Sequence, residues 1–269
     1  MTLEFGELIV RFGELTGHRH VGSEIKGSGC GLMTGNREAW EAEAENWVVF
    51  ARTEGHDAYW FYRDSFFEKI VPAPGRVTLE VGAGEGRVTR DLLARGHRVV
   101  AVDGSFTLLR NAMELDRSER YLLSDASLLP LYPGSVDIAI AYNSLMDFDD
   151  LPSAIREIAR VLTDQGSFCI CITHPIQYAG RFDNDDQDAL FRLRADYFET
   201  RPFDETVTWD DITMRFRGWV RPMQDYLSAL FDAGFVVDSI NEPTPTTREG
   251  RYERWHRVPM FLHVRAVKR

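Results

Sequence analysis

A glycine-rich heptapeptide, residues 80–86 with the sequence E-V-G-A-G-E-G, constrains this chain more than any other segment. It follows a short apolar run at 77–81 with the composition of a buried strand. It leads into a helical pattern at 87–95, which Gly96 closes. Glycine has no Cβ, so such a turn lets the backbone approach a ligand closely. The dinucleotide fingerprint G-x-G-x-x-G would need a third glycine at position 87, which is arginine.

Apolar strand patterns alternate with helical patterns from about residue 73 to the end of the chain. This alternation predicts parallel β-α-β units in a doubly wound α/β sheet, where ligands bind beyond the carboxyl ends of the strands. The last two strand patterns have no helix between them and predict a terminal antiparallel hairpin. The strand patterns are 77–81, 98–102, 120–123, 136–142, 168–173, 236–240 and 261–267, and the helical patterns are 87–95, 106–114, 151–162 and 222–233.

The sequence divides into three predicted segments. Residues 1–32 contain glycine-rich stretches without strong periodicity and are expected to form a flexible N-terminal arm. Aromatic residues at helical spacing in 33–72 predict a helical cap of two amphipathic helices. Most of these aromatic residues are explained by packing on a core, and Tyr59 or Tyr62 is expected to contribute to a pocket. Residues 73–269 form the main domain. Within it, about 175–220 has no clear strand pattern and is interpreted as a lid insertion.

Composition excludes several classes of protein. The 269 residues are 44% hydrophobic, which is typical of a globular chain, and contain no apolar run of about 18 residues. The N-terminus lacks a secretory pattern and the chain has three cysteines, so we expect a cytoplasmic protein without membrane contact. The net charge is −11 without a basic stripe, which disfavours nucleic acid as a partner.

Polar residues follow the predicted strands. Asp103 ends the second strand, where a carboxylate can accept hydrogen bonds from both ribose hydroxyls of an adenosine. The alternative is that Asp103 caps the following helix. Asp125 follows the third strand and can accept a hydrogen bond from an adenine amino group, or can be an ordinary turn residue. Asn143 ends the fourth strand.

The order of these residues, with Gly166 after the helical pattern at 151–162, resembles the class I S-adenosylmethionine-dependent methyltransferases over about 76–173. The resemblance implies a Rossmann-like seven-stranded sheet of order 3-2-1-4-5-7-6 with the seventh strand antiparallel. It also implies S-adenosyl-L-methionine as cofactor and S-adenosyl-L-homocysteine as product. The implied cofactor-binding residues are Glu80, Gly82, Ala83, Gly84, Asp103, Gly104, Ser105, Ser124, Asp125, Ala126, Asn143 and Tyr62.

The implied reaction is in-line displacement at the sulfonium methyl group, and a hydroxyl acceptor must also lose a proton. His174 follows the last central strand and is the candidate base, although a histidine there can also hold the strand end. Asp147, Asp149 and Asp150 can contact an acceptor or form a solvated, helix-capping loop. No metal site is predicted, because the aspartates in 183–188 are better interpreted as an acidic loop than as magnesium ligands.

The acceptor is predicted to be a small molecule, with oxygen favoured over nitrogen as the methylated atom. The N-P-P-Y motif of nucleic-acid amino-methyltransferases is absent, since Tyr142 to Leu145 reads Y-N-S-L, and no cysteine follows a proline. We expect a monomer or a homodimer. The alternatives are a methyltransferase acting on a protein, a nucleotide-binding oxidoreductase and an inactive module that binds the cofactor.

Overall fold

A computed structural model describes residues 35–53, 55, 57–116, 120–209 and 212–269, so the arm predicted for 1–32 lies outside the described residues. The helices are α1 (Asn36–Arg52), α2 (Tyr59–Lys69), α3 (Arg87–Ala94), α4 (Phe106–Leu115), α5 (Leu151–Val161), α6 (Ile176–Ala179) and α7 (Met223–Asp232). The strands are β1 (Thr78–Val81), β2 (Val99–Asp103), β3 (Tyr121–Leu123), β4 (Val136–Tyr142), β5 (Leu162–Thr173), β6 (Gly180–Phe182), β7 (Phe191–Leu193), β8 (Arg201–Trp209), β9 (Ile212–Val220), β10 (Phe235–Asn241) and β11 (Phe261–Lys268).

Seven strands form one sheet in the order β3-β2-β1-β4-β5-β11-β10. Strands β1 to β5 are parallel, and β11 is antiparallel to both β5 and β10. The predicted strand order and terminal hairpin are therefore confirmed. Val81 pairs with Val102, so the glycine turn after β1 and Asp103 at the end of β2 lie at the same sheet edge.

The sheet is buried on both faces because its strand residues alternate between two apolar clusters. Ala139 and Ala141 of β4 belong to the cluster that includes α5 and α7. Ile138 and Ile140 belong to the opposite cluster, with residues of α2, α3 and α4. Cys169 of β5 lies in this second cluster as a buried free thiol. The result is a three-layer α/β/α domain.

Helix α2 belongs to the core rather than to a peripheral cap. Tyr62 is fully buried, and its ring lies edge-on to Phe261 of β11 with a centroid separation of 4.9 Å. Phe66 of the same helix packs edge-on against Tyr142 at 5.0 Å. The aromatic residues of α2 thus pack on the sheet, and they share one apolar cluster with residues beyond position 72.

Tyr62→Phe tests the structural role of this residue. The buried Tyr62 hydroxyl has no hydrogen-bond partner among the described residues, so its removal is expected to leave the free energy of unfolding unchanged or to raise it by up to about 1 kcal/mol. Tyr59→Phe on the same helix is the matched control. The Tyr59 hydroxyl donates to Asp91 Oδ2 at 2.5 Å, so its loss should cost about 1.5–3 kcal/mol. Equal losses in urea unfolding would show that the Tyr62 hydroxyl has a partner.

The segment interpreted as a lid insertion contains strands that the sequence pattern did not predict. Its two antiparallel pairs are β6 with β7 and β8 with β9. Strand β9 is apolar on one side only: Met214 and Val220 are buried, whereas Arg215 between them is exposed. Among the described residues, no helix has the length and apolar character needed to cross a membrane.

Candidate functional site

A cavity of about 260 Å³ lies at the carboxyl ends of the central strands, beneath α1. It is lined by eleven of the twelve residues predicted to bind the cofactor. Tyr62, which is buried in the core, is the exception. The eleven are Glu80, Gly82, Ala83, Gly84, Asp103, Gly104, Ser105, Ser124, Asp125, Ala126 and Asn143.

The glycine loop passes close to the end of β4. Gly82 has φ +78°, and a Cβ built on it would lie 2.3 Å from the Cβ of Ser144. Ser144 in turn donates a hydrogen bond from Oγ to Val81 O at 2.8 Å, which fixes this approach. At Gly84, with φ +57°, the nearest atom to a built Cβ is Trp47 Nε1 at 3.6 Å. The loop is therefore closed against the sheet at residue 82 and open toward the cavity at residue 84.

Asp103 holds the glycine loop to the end of β2. Its Oδ2 accepts the Gly84 N–H at 2.7 Å, and its Oδ1 accepts the Ser105 N–H at 2.8 Å. Burial raises the pKa of the Asp103 carboxyl, and these backbone hydrogen bonds oppose that rise. The cap of α4 is Ser105, whose Oγ accepts the Leu108 N–H, so Asp103 is not the helix cap.

Glu80 is a buried carboxyl at the end of β1. The hydroxyl of Thr89 donates to its Oε2. Burial raises the pKa of Glu80 to about 8, and the neighbouring charges of Asp103 and Glu85 add to the rise. A carboxyl in this position is largely protonated at neutral pH when no cation lies nearby.

Glu80→Gln tests this protonation state. Because the folded-state pKa exceeds the ordinary value, the contribution of Glu80 to stability is complete below about pH 4.5 and is lost as the pH rises through about 8. Glutamine does not titrate, so the Glu80→Gln variant does not lose this stability as the pH rises. Its free energy of unfolding relative to the wild type should therefore increase by more than about 1 kcal/mol between pH 5 and pH 8. Urea titrations at both pH values measure it, with Glu114→Gln on the exposed side of α4 as control. Parallel curves for Glu80→Gln and the wild type would contradict the assignment.

The third strand supplies a turn at the cavity edge. Asp125 Oδ1 accepts hydrogen bonds from the Ser127 N–H at 2.8 Å and from Ser127 Oγ at 2.6 Å. Ser124 donates from Oγ to Leu128 O at 2.7 Å. Asp125 thus forms a local turn and also lines the cavity, so the two readings of this residue are compatible.

Arg87, at the position that excluded the dinucleotide fingerprint, lies at the inner wall of the cavity. It forms an ion pair with Asp57. Its guanidinium carbon lies 4.4 Å from the ring centroid of Tyr59 and 5.1 Å from that of Trp47. The cavity lining carries seven carboxyl side chains and the two cations of Arg37 and Arg87, so its charge is predominantly negative.

A second cavity of about 950 Å³ adjoins the first. Among the described residues, ten aromatic and nine charged side chains line it. The aromatic ones come mainly from α1, from the β8–β9 hairpin (Phe203 and Phe216) and from the segment before β11 (Trp255). Four residues line both cavities, namely Trp40, Trp47, Asn143 and Asp147. The Trp40 and Trp47 rings meet edge-on at 5.5 Å. The two cavities therefore share one aromatic border.

The three aspartates after Asn143 have different surroundings. Asp150 caps α5 by accepting the Ser153 N–H at 3.0 Å, as expected for a helix-capping loop. Asp149 accepts hydrogen bonds from the Asn36 N–H and from Trp219 Nε1. Asp147 lines both cavities.

His174 does not line either cavity. Its Nε2 lies 3.1 Å from Glu242 Oε1, and its Nδ1 accepts the Ile176 N–H at 3.2 Å. Burial lowers the pKa of His174, and the charge of Glu242 opposes this. Thr173, one residue earlier, does line the second cavity. His174 thus lies at the strand end, away from both cavities, as in the alternative to its role as a base.

The strand order and the glycine turn at the switch point define a Rossmann-like fold of the class I methyltransferase type. A solved S-adenosylmethionine-dependent methyltransferase from Mesorhizobium loti has this fold, with a TM-score of 0.62 and 21% identity. The match covers 79% of this chain and 98% of that one.

Residues 79–170 match the family model of a methyltransferase domain. Demethylmenaquinone methyltransferase of Corynebacterium kroppenstedtii is 30% identical over 119 residues, which are 44% of this chain and 50% of the relative. Malonyl-[acyl-carrier protein] O-methyltransferase of Serratia marcescens is 33% identical over 93 residues, 35% of this chain and 36% of the relative. The chain thus spans about a third to a half of the length of these relatives. Residues 79–170 thus match a methyltransferase domain, and the chain has the fold of the solved class I methyltransferase-type structures.

Proposed function

We propose that this protein transfers the methyl group of S-adenosylmethionine to a small-molecule acceptor, with oxygen favoured as the methylated atom and nitrogen next. One observation carries the proposal: eleven residues chosen from the sequence for cofactor binding line one cavity, and this cavity adjoins a larger, aromatic one. The first cavity suits an adenosyl group with a cationic sulfonium, and the second suits a mostly apolar acceptor.

The residues of the first cavity have distinct proposed roles. Asp103 accepts hydrogen bonds from the ribose hydroxyls while it keeps its bonds to the loop. Asp125 accepts from the adenine amino group, and the open backbone at Gly84 receives the amino-acid part of the cofactor. The carboxyl-rich lining favours a ligand of positive charge. The bound cofactor supplies an activated methyl group, and the protein supplies alignment and an enclosed site.

Support for a small molecule comes from the second cavity and from both curated relatives. One relative is named for a menaquinone precursor, and the other for an acyl group on a carrier protein. The second name supports, as an alternative, an acceptor that is bound to a carrier protein. The aromatic wall of the second cavity favours an acceptor with a flat or apolar body.

Calorimetric titration with S-adenosylhomocysteine tests the proposal, with NAD and NADP as controls. We expect a dissociation constant near the micromolar range, about −8 kcal/mol, and no response to either dinucleotide. A response to a dinucleotide alone would replace the proposal with a nucleotide-binding oxidoreductase. Methyl transfer to hydroxyl and amine acceptors can be followed by mass spectrometry. If the protein binds S-adenosylhomocysteine but methylates none of these acceptors, an inactive binding module is favoured.

A further inference from the structure

The border between the two cavities carries a single titratable side chain. Trp40, Trp47, Asn143 and Asp147 line both cavities, and of these only the Asp147 carboxyl exchanges a proton near neutral pH. Asp147 ends the short 3-10 turn Leu145–Asp147, directly after β4. A methyl group that passes from a ligand in the first cavity to a ligand in the second crosses the border that this carboxyl shares with Trp40, Trp47 and Asn143.

The turn that carries Asp147 is held by a buried guanidinium. Arg221 donates from Nη2 to Phe148 O at 2.7 Å, and its Nη1 lies 3.4 Å and 3.5 Å from the carbonyl oxygens of Leu145 and Met146. Arg221 is buried, with 6% of its surface exposed. One side chain therefore contacts the carbonyls of Leu145, Met146 and Phe148, on both sides of Asp147.

The β8–β9 hairpin packs directly on the same turn. A Cβ at Gly218 would lie 2.6 Å from Phe203 Cε1 and 3.0 Å from both Asp147 Oδ1 and Met146 O, so a side chain at this position would crowd the turn. The hairpin thus closes one side of the Asp147 carboxyl, and Arg221 closes its backbone side. The carboxyl is left facing the two cavities, in a geometry set before any ligand binds.

The surroundings of Asp147 make its carboxyl more basic than an exposed aspartate. Burial raises its pKa well above the ordinary value, and the negative charge of Asp103 adds to this effect. A hydrogen bond from the Trp40 side chain opposes the rise, and the positive charge of Arg221 opposes it further. The phenols of Tyr178 and Tyr226 also lie within electrostatic range of Asp147. A carboxyl with a raised pKa is better matched to taking up a proton near neutral pH.

We propose that Asp147 accepts the proton of the methyl acceptor and that Arg221 is the positioning residue for it. This rests on the proposed methyl transfer. The acceptor oxygen or nitrogen forms a bond to the methyl carbon, the carbon–sulfur bond breaks with its electron pair on sulfur, and the O–H or N–H proton passes to Asp147 Oδ. The acceptor class is therefore a hydroxyl, a phenol or an N–H amine, rather than a carboxylate or a tertiary amine.

Sinefungin tests the position of Asp147 without knowledge of the acceptor, because it carries an ammonium group where S-adenosylmethionine carries its methyl group. Calorimetry with sinefungin and S-adenosylhomocysteine gives an affinity ratio for each variant. Asp147→Asn should reduce the sinefungin affinity tenfold or more relative to the homocysteine compound. Asp164→Asn is the control: it removes the same charge from an exposed position near the start of β5 that lines neither cavity, so its ratio should equal that of the wild type.

The pH dependence separates a base from a structural carboxyl. In the wild type the preference for sinefungin should increase with pH as Asp147 ionises, and in Asp147→Asn it should be flat. Arg221→Gln removes the positive charge that lowers the pKa of Asp147, so the midpoint should move to higher pH, and Arg221→Lys should restore it. A purely structural Arg221 would weaken both ligands without moving the midpoint.

Two outcomes would overturn the proposal. An unchanged affinity ratio in Asp147→Asn would place the carboxyl away from the transferred methyl group. A pH profile unaffected by this substitution would assign the titration to another residue. If the wild type binds neither compound, the proposed methyl transfer itself fails, and this result is distinct from a selective failure of Asp147.

Discussion

Gly82→Ala is expected to lower the free energy of unfolding by about 2–5 kcal/mol and to abolish binding of S-adenosylhomocysteine. The left-handed backbone at φ +78° costs a residue with a Cβ about 1–2 kcal/mol. The added methyl group also overlaps Ser144 Cβ at 2.3 Å, and forcing atoms into a packed site costs about a further 1–3 kcal/mol. Because the loop must move to relieve the overlap, the cavity wall moves with it. Urea unfolding and calorimetry measure the two effects.

Two further variants separate conformation from overlap. Gly134→Ala also has a left-handed backbone, with φ +63°, but nothing lies within 4 Å of its built Cβ, so only the conformational cost is expected. Ser144→Gly removes the overlapping Cβ. It should therefore be less destabilising in the Gly82→Ala background than in the wild type, a positive coupling in a double-mutant cycle. Strict additivity would show that the loop moves away from Ser144 without resistance.

Asp103→Ala is expected to weaken S-adenosylhomocysteine binding by about 1–3 kcal/mol, which corresponds to roughly 5-fold to 150-fold. The substitution removes the proposed ribose contact and also the acceptors of the Gly84 and Ser105 N–H groups. Asp103→Asn keeps one acceptor oxygen and should give an intermediate loss. Calorimetry gives the affinities, and urea unfolding shows how much of each loss comes from the loop.

Asp164→Asn is the control for net charge, because Asp164 is exposed at the start of β5 and does not line either cavity. Its affinity should match that of the wild type. If Asp103→Ala retained full affinity while losing stability, Asp103 would be a residue that holds the loop without touching the ligand. The ribose assignment would then be withdrawn.

The central sheet could be predicted from the sequence because each of its features has a local signal. Strands of four to seven apolar residues alternate with helical patterns, and the glycine loop marks the strand at which the chain order reverses. Polar residues at the strand ends, such as Asp103 and Asn143, were found because parallel strands bring their carboxyl ends to one edge. Position along a strand therefore determined the cavity lining.

The role of a residue could not be predicted in this way where it depends on the direction in which the side chain points. Helical spacing brings Tyr62 onto the apolar face of α2 but does not tell whether that face meets the sheet or a cavity. His174 follows a strand in which successive side chains point in opposite directions. Thr173 faces the second cavity, and its neighbour His174 meets Glu242 instead. A difference of one position along the strand therefore decides whether a side chain faces the cavity.

The environment of Asp147 depends on contacts that are distant in sequence. Gly218 and Arg221 reach the Leu145–Asp147 turn from more than 70 residues away, so no local pattern distinguishes Asp147 from the capping residue Asp150. Strand β9 did carry a signal, since its buried Met214 and Val220 have the period of a strand. The intervening arginines mask it, because they make the segment polar on average.

The two cavities are built from different stretches of the chain, and this has an evolutionary consequence. Most of the lining of the first comes from residues 80–154, largely within the 79–170 match to the family model. The aromatic wall of the second comes largely from 177–220 and 251–261, outside that match. Under the proposed function, substitutions in these later stretches would change the acceptor while the residues that match the family model stay the same, so related domains can differ in substrate and keep the same methyl transfer.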